Sequence, residues 1–445
     1  MPSPADRPSR ARAVVLALLC SLTFVLYLDR ICISQALPRI QAELKLDNDA
    51  MKYVLMAFTL SYGLFEVPTG RWGDRLGGRR VLTRIVVWWS AFTALTAACT
   101  GFYSLLVVRF LFGAGEAGAY PNVARVVARW YPSPERSRVQ GYVQTAAYVG
   151  SAFAPVLAAY LIHSIGWRST FVLFGGLGLV WAVGFWVWFR DDPATHPAVN
   201  AAERALIGDG GPVGVSHHEP IPWREAVNNP SVRLLATIMV CASFNSYLYF
   251  SWFPKYLQAG RGVGEIEAGW LASLVLAGAA VGTMTGGFLG DWLARGRPIS
   301  ARRRQGAVAY TLAAGLIGVG VLCESPRLMA TCAALSCVAA MLPMANWWSC
   351  AIEISGRHLG ALFGLMNGLG VFGAMGSQYF FGRFTSWREA HGHVGRAQYD
   401  PAFAVYVVAL LVAAVCWACY VSRAVLPDDE PLTGTRQTAP DSAAG

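Results

Sequence analysis

The chain has 445 residues, of which 55% are hydrophobic and only 14% charged, with a mean hydropathy of +0.42. A soluble protein of this size carries about 25% charged residues, so an ordinary cytosolic, disordered or collagenous protein is excluded. The net charge of +10 would suit nucleic acid only if the basic residues shared one solvated face; their distribution marks topology instead.

Twelve apolar stretches, numbered here as spans 1 to 12, begin near residues 13, 53, 81, 103, 139, 168, 232, 268, 305, 327, 359 and 401. Each is long enough to cross about 30 Å of hydrocarbon as a helix. With both termini placed in the cytoplasm, 24 of the 36 Lys and Arg fall on the inner side and 10 on the outer side, while Arg30 and Arg109 lie inside spans. The positive-inside rule favours this orientation. The expected divisions are an N-terminal tail at 1–12, a six-helix bundle at 13–190, a cytoplasmic linker at 191–231, a second bundle at 232–424 and a tail at 425–445. Arg7, Arg10 and Arg12 precede the run from Ala13 to Leu28, which is long for a signal peptide and ends in Asp29-Arg30, so it reads as a retained span. Pro193, Pro197, Gly208, Gly210 and Gly211 mark the linker as polar and irregular. The ten cysteines sit mostly within spans without metal-ligand spacing, and the seven histidines lie in loops or at helix ends. No metal or cofactor is expected.

An internal repeat follows spans 2 and 8. Gly70 to Arg80 reads GRWGDRLGGRR, and Gly287 to Arg297 reads GFLGDWLARGR, with the same G-x-x-G-D core 217 residues later. The same inner loop at the same place in two halves indicates duplicated parallel repeats. The first of these closely resembles the signature loop of the major facilitator superfamily. The stretch Arg109-Phe-Leu-Phe-Gly-Ala-Gly-Glu-Ala-Gly118 resembles that superfamily's span 4 pattern. Leu28-Asp29-Arg30, Pro68-x-Gly70, Gly115-Glu116-Ala117, Trp130-Tyr131-Pro132 with Glu135-Arg136, and Gly166-Trp167-Arg168 before Phe171 are similar to its anion:cation symporter family. The second half matches more loosely, through Trp252-Phe253-Pro254-x-Tyr256-Leu257 and the run from Gly364 to Gly370.

The resemblance implies an all-α membrane protein with twelve transmembrane helices in two pseudo-symmetric six-helix bundles, the major facilitator fold. It implies proton-coupled symport of a small organic anion by alternating access, a sugar acid such as a hexuronate, aldonate or aldarate being the expected cargo. The protein would act as a monomer in the bacterial inner membrane, with the anion, protons and the lipid bilayer as partners and no nucleic acid. Gly70, Gly73, Asp74, Arg75, Gly77, Arg79, Gly290 and Asp291 would form the gating motif, Asp74 facing the start of span 11 and Asp291 that of span 5.

An ionisable residue inside a span costs about 2.5 to 3.5 kcal/mol on insertion scales, so each needs a partner or a task. Asp29 and Arg30 lie about 25 Å up span 1, and Arg109 and Glu116 about 10 and 20 Å below the outer face in span 4. The seven-residue spacing of Arg109 and Glu116 places both on one helical face. Guanidiniums facing a cavity bind carboxylates bidentately, and a carboxylate beside them can titrate. We expect Arg30 to be the primary carboxylate ligand, Arg109 a charge relay that also contacts substrate, and Glu116 and Asp29 the proton sites; the same four positions are implicated in the family's proton-coupled members. The structural alternative has Asp29 and Arg30 reaching the outer interface and Arg109 paired with Glu116 within span 4. Glu66 would answer the Arg71 cluster, and Lys255 would be solvated at the outer end of span 7.

Neutral donors and ring faces expected beside the charges are Tyr27, Tyr62, Gln144, Tyr148, Asn245, Tyr249, Asn346, Trp347 and Asn367. Other carriers remain open: a uniporter, antiporter or exporter of an aromatic or dicarboxylate anion, or a non-transporting sensor on the same fold. An enzyme is not expected, since neither H-E-x-x-H nor G-x-S-x-G occurs. Lys45, Lys52 and Lys255 are followed by Leu46, Tyr53 and Tyr256, so the chain has no phosphate-binding loop for ATP-driven transport.

Overall fold

The computed structural model describes residues 8–207, 223–293, 298–355 and 365–421, and among these every regular element is helical. Span 1 is Ala11–Leu44, span 2 Asn48–Leu76, span 3 Gly78–Thr96, and span 4 the pair Phe102–Glu116 and Ala119–Trp130. Spans 5 and 6 form one run, Ser133–Trp188, bent at Gly166. Span 7 is Pro230–Ser251, continued by Phe253–Lys255 and a π turn at Tyr256–Gly260. Spans 8 and 9 are Glu265–Leu293 and Pro298–Leu322, and span 10 is Pro326–Met341 with Met344–Ser355. Span 11 is Gly370–Ala390, and span 12 ends in Phe403–Cys419. Every expected start falls in one of these helices except 401, which lies in the short turn Asp400–Ala402 just before Phe403, and 359, which lies outside the described residues.

Among the described residues, eight helices are long and apolar enough to cross a bilayer, one of them, Arg138–Trp188, carrying both spans 5 and 6. Spans 2, 3 and 11 are more polar, because they carry charges such as Lys52, Arg84 and Arg383 near their ends. The repeated segments differ from the expected loops. Gly70 to Leu76 and Gly287 to Leu293 are the last turns of spans 2 and 8, each 29 residues long. At about 44 Å such helices outrun the hydrocarbon core, so the motif rides on their protruding ends. The linker is likewise more ordered than its composition suggested. It contains the helix Ala201–Ile207, whose buried Glu203 takes the Arg12 backbone N–H at 3.1 Å, the Arg12 Nε at 3.2 Å and the Ser9 hydroxyl.

The packing repeats as the sequence does. Span 1 lies on the run of spans 5 and 6, as span 7 lies on 11 and 12; span 2 lies on 4 as 8 on 10, and span 3 on 6 as 9 on 12. Within the second half, Gly278, Gly282 and Gly286 line one face of span 8 against the carbonyls of Ala334, Val338 and Leu342 in span 10. Small residues at four-residue spacing let two backbones touch, the contact that lipid cannot replace.

The halves meet along spans 2 and 11 and along spans 5 and 8. Their described hydrogen bonds cluster toward the end of the bundle remote from the chain start. Arg39 holds Glu265 through Nε at 2.8 Å and Nη2 at 2.6 Å, the Asn48 amide donates to Thr385 Oγ1 at 3.1 Å, and the Val156 N–H donates to Ser273 Oγ at 3.1 Å. The sequence leads one to expect a solvated Lys255, but it is buried, at 8% exposure. The turn at Trp252 to Pro254 folds it inward, where Nζ donates to Gln41 Oε1 and Asn48 Oδ1 of the other half.

Gly282→Leu is expected to lower the melting temperature of the purified protein by several degrees, since overpacking costs about 1 to 3 kcal/mol. Gly315→Leu, at a position with nothing within 4 Å of a Cβ, is the matched control and should leave it nearly unchanged.

Candidate functional site

Span 4 is interrupted beside its acidic residue. Glu116 is the last residue of the first segment; Ala117 turns extended at ψ 140°, and Gly118 takes φ +83°, a conformation that side chains disfavour. Above the break, Gly113 rests on the Phe58 carbonyl and Ser61 of span 2. Arg30 of span 1 reaches Glu116 just before the break: Nε donates to Glu116 Oε1 at 2.9 Å and Nη2 donates to the same oxygen. The ion pair thus runs between spans, not within span 4. Glu116 Oε2 has no hydrogen-bond partner among the described residues.

Aromatic faces surround the cation. The Arg30 guanidinium lies 5.5 Å from the Tyr27 ring centroid, 5.1 Å from Phe58 and 4.8 Å from Tyr62. Arg109 shares the Phe58 ring at 5.3 Å and sits 4.5 Å from Phe112. It is 1% exposed, yet its Nε and Nη1 have no hydrogen-bond partner among the described residues. A buried guanidinium with unused N–H groups is a vacant anion ligand. Asp29 points to the other side of span 1, where Trp89 Nε1 donates to Oδ2 at 3.0 Å and Oδ1 is unpartnered.

Arg30 and Arg109 converge on an enclosed cavity of about 160 Å³ whose wall also includes Tyr27, Phe58, Tyr247, Phe250, Ser251 and Gln378. Tyr62 reaches this cluster through Arg30 without lining the cavity. Asn245 and Tyr249 are buried on another face of span 7, Tyr249 packing its ring 5.3 Å from Phe253. Tyr247, Phe250 and Ser251 take the cavity side, a choice invisible in a span whose polar residues, Ser243, Asn245, Ser246 and Ser251 among them, are spread round the helix. Asn346 donates to Gln305 at 2.9 Å and Trp347 to the Leu235 carbonyl at 2.8 Å, so both tie the second half together away from the cavity. Gln144 and Tyr148 are half-buried in span 5 and Asn367 is exposed in span 11; none lines the cavity. Phe58, Tyr247, Phe250, Ser251 and Gln378 escaped the sequence reading. Phe58 stands one turn before Tyr62, a spacing that could have pointed to it, whereas Tyr247, Phe250, Ser251 and Gln378 carried no such signal.

Of the gating residues, Gly77 takes φ +81° and Arg79 follows it. Both meet the end of span 6 in their own half: Asp191 seats on Gly77 and accepts the Arg79 N–H at 2.8 Å, and Arg79 Nε donates to the Trp186 carbonyl at 3.0 Å. Gly70, Gly73, Asp74, Arg75, Gly290 and Asp291 lie on helices, but their side chains are outside the described set, as is the expected facing of Asp74 and Asp291.

The family described as the Major Facilitator Superfamily matches residues 19–378. A protein of Cupriavidus necator named "Probable sulfoacetate transporter" is 30% identical over 376 residues, covering 83% of this chain and 87% of that protein. A Bacillus subtilis "Probable galactarate/D-glucarate transporter" is 34% identical over 291 residues, covering 61% of this chain and 63% of its own length. Among solved structures, a bacterial homologue of the human lysosomal transporter Spinster, inward-facing and occupied, superposes with a TM-score of 0.73 at 19% identity, over 92% of this chain and 96% of that one. A D-xylose–proton symporter superposes with a TM-score of 0.71 at 14% identity, over 92% and 98%.

Phe58→Leu should lower the melting temperature, and the loss should shrink in an Arg109→Met background by about 0.5 to 2 kcal/mol of coupling, the range for a ring under a desolvated cation. Equal losses in both backgrounds would show that Phe58 only fills space.

Proposed function

Because this chain belongs to the major facilitator superfamily and its helices form that fold, we propose that it is a secondary carrier moving a small organic anion together with protons by alternating access. It would work as a monomer in the bacterial inner membrane with both termini in the cytoplasm. The observation that carries the reading is the convergence of Arg30 and Arg109 on one cavity, with Glu116 holding the first while Nε and Nη1 of the second have no hydrogen-bond partner among the described residues. Relatives named for sulfoacetate, galactarate and D-glucarate support an anionic cargo with a carboxylate or similar head. Sugar acids fit best, because the wall offers neutral polar groups beside the cations. The charge balance toward the cytoplasm supports the orientation.

The chemistry follows from the balance of the cluster. Two guanidiniums and two carboxylates sum to zero when all are ionised. An entering carboxylate first meets the unpartnered N–H groups of Arg109 and then competes with Glu116 for Arg30. A buried carboxylate that loses its partner is strongly disfavoured, by about 3 to 5 kcal/mol, unless it takes up a proton. Proton entry at Glu116, with Asp29 as a second acceptor behind span 1, therefore accompanies anion entry. The contacts between halves at Arg39, Asn48 and Lys255 would hold one face closed while the other admits cargo.

Counterflow of a carboxylate panel in proteoliposomes, with and without a proton gradient, tests this. Glu116→Gln is expected to keep exchange and lose gradient-driven accumulation; accumulation at the wild-type level would remove Glu116 from coupling. Arg30→Lys should raise the KM for the transported anion about tenfold or more, since a bidentate fork becomes a point charge. Flux restricted to neutral or cationic solutes would overturn the anion reading.

A further inference from the structure

The cavity has two chemically unlike walls. One is the pair of guanidiniums from spans 1 and 4; the other is built by spans 7 and 11 from Ser251 and Gln378. Gln378 is buried, and its amide is fixed at both ends: Thr59 Oγ1 donates to Oε1 at 3.0 Å, and Nε2 donates to Ser251 Oγ at 3.1 Å. A primary amide has two N–H donors and two acceptor lone pairs, and a hydroxyl has one donor and two lone pairs. The two bonds leave Gln378 one N–H and one lone pair, and leave Ser251 its own proton. These groups belong to a wall of the cavity in which Phe58, Tyr247 and Phe250 provide apolar faces. Apolar cargo would bury them unsatisfied, whereas a hydroxyl, donor and acceptor at once, answers the amide's remaining pair.

We propose that Gln378, held and assisted by Ser251, is the specificity-determining residue that selects polyhydroxylated carboxylates over plain alkyl carboxylates of the same length. The inference rests on the anion reading above and deepens it. The carboxylate is taken by the arginine wall and the hydroxylated chain by the amide wall, so charge decides that an anion binds and Gln378 decides which. Leaving buried donors and acceptors unpaired weakens binding about tenfold to a hundredfold.

The test is isothermal titration calorimetry on the purified full chain with two length-matched pairs, D-galactonate against hexanoate and D-glucarate against adipate. The wild type should bind at least one hydroxylated acid tenfold or more tighter than its alkyl partner. Gln378→Leu should bring the hydroxylated acid down to the alkyl level while leaving alkyl binding within about twofold. Ser251→Ala, which keeps the amide, should give a smaller shift of the same kind and stands in if Gln378→Leu does not fold. Thr59→Val breaks the bond between the halves without touching the wall, and should preserve the preference. Equal binding of hydroxylated and alkyl acids by the wild type would overturn this assignment and leave the anion reading standing. Equal weakening of both classes by Gln378→Leu, or its reproduction by Thr59→Val, would reduce Gln378 to a bridge between the halves. Binding of none of the four acids would overturn the anion reading and this inference with it.

Discussion

A guanidinium buried in a bilayer has to be answered by something, and the structure is arranged around two of them. Arg30 is answered by Glu116 and by three aromatic rings. Arg109 is answered only in part, by the faces of Phe58 and Phe112. That inequality gives the site its chemistry. A cluster in which every charge was satisfied would be a structural core, and one with no acid would bind anions too tightly to let them go. The interruption of span 4 begins only after Glu116, so Arg109 and Glu116 keep one helical face and the Arg30 side chain makes the crossing from span 1.

The second half of the chain holds no comparable charge at the cavity. It supplies rings, a hydroxyl and an amide, and its own ion pairs are placed elsewhere, as between Arg261 and Asp400 at the remote end. The duplicated architecture has therefore diverged in chemistry while keeping its packing. At the cavity one half supplies charge and the other supplies shape and hydrogen bonding.

How much of this was legible in the sequence depended on the kind of signal. The spans and the four buried charges stood out because ionisable residues are rare in long apolar runs. Partner choice did not: a seven-residue spacing puts Arg109 and Glu116 on one face, yet the long Arg30 side chain reaches Glu116 from another helix. The span 7 wall was misplaced onto Asn245 and Tyr249 because polar residues are spread round that helix, which leaves no single polar face to betray its orientation. Lys255 read as solvated because its position at a helix end is ordinarily wet. Only tertiary contact with Gln41 and Asn48 reveals that amides from the other half take the place of water. The extra turns of spans 2 and 8 were hidden by their glycines, which read locally as turn formers.

The glycine face of span 8 has a mechanical consequence. Where Gly278, Gly282 and Gly286 touch the carbonyls of span 10, no side chain lies between the backbones to rotate, so the pair has no soft layer along which to shear. Spans 8 and 10 then form one stiff unit along Gly278 and Gly282, and the joint at which it ends is the break in span 10 between Met341 and Met344, where Gly286 rests on the Leu342 carbonyl.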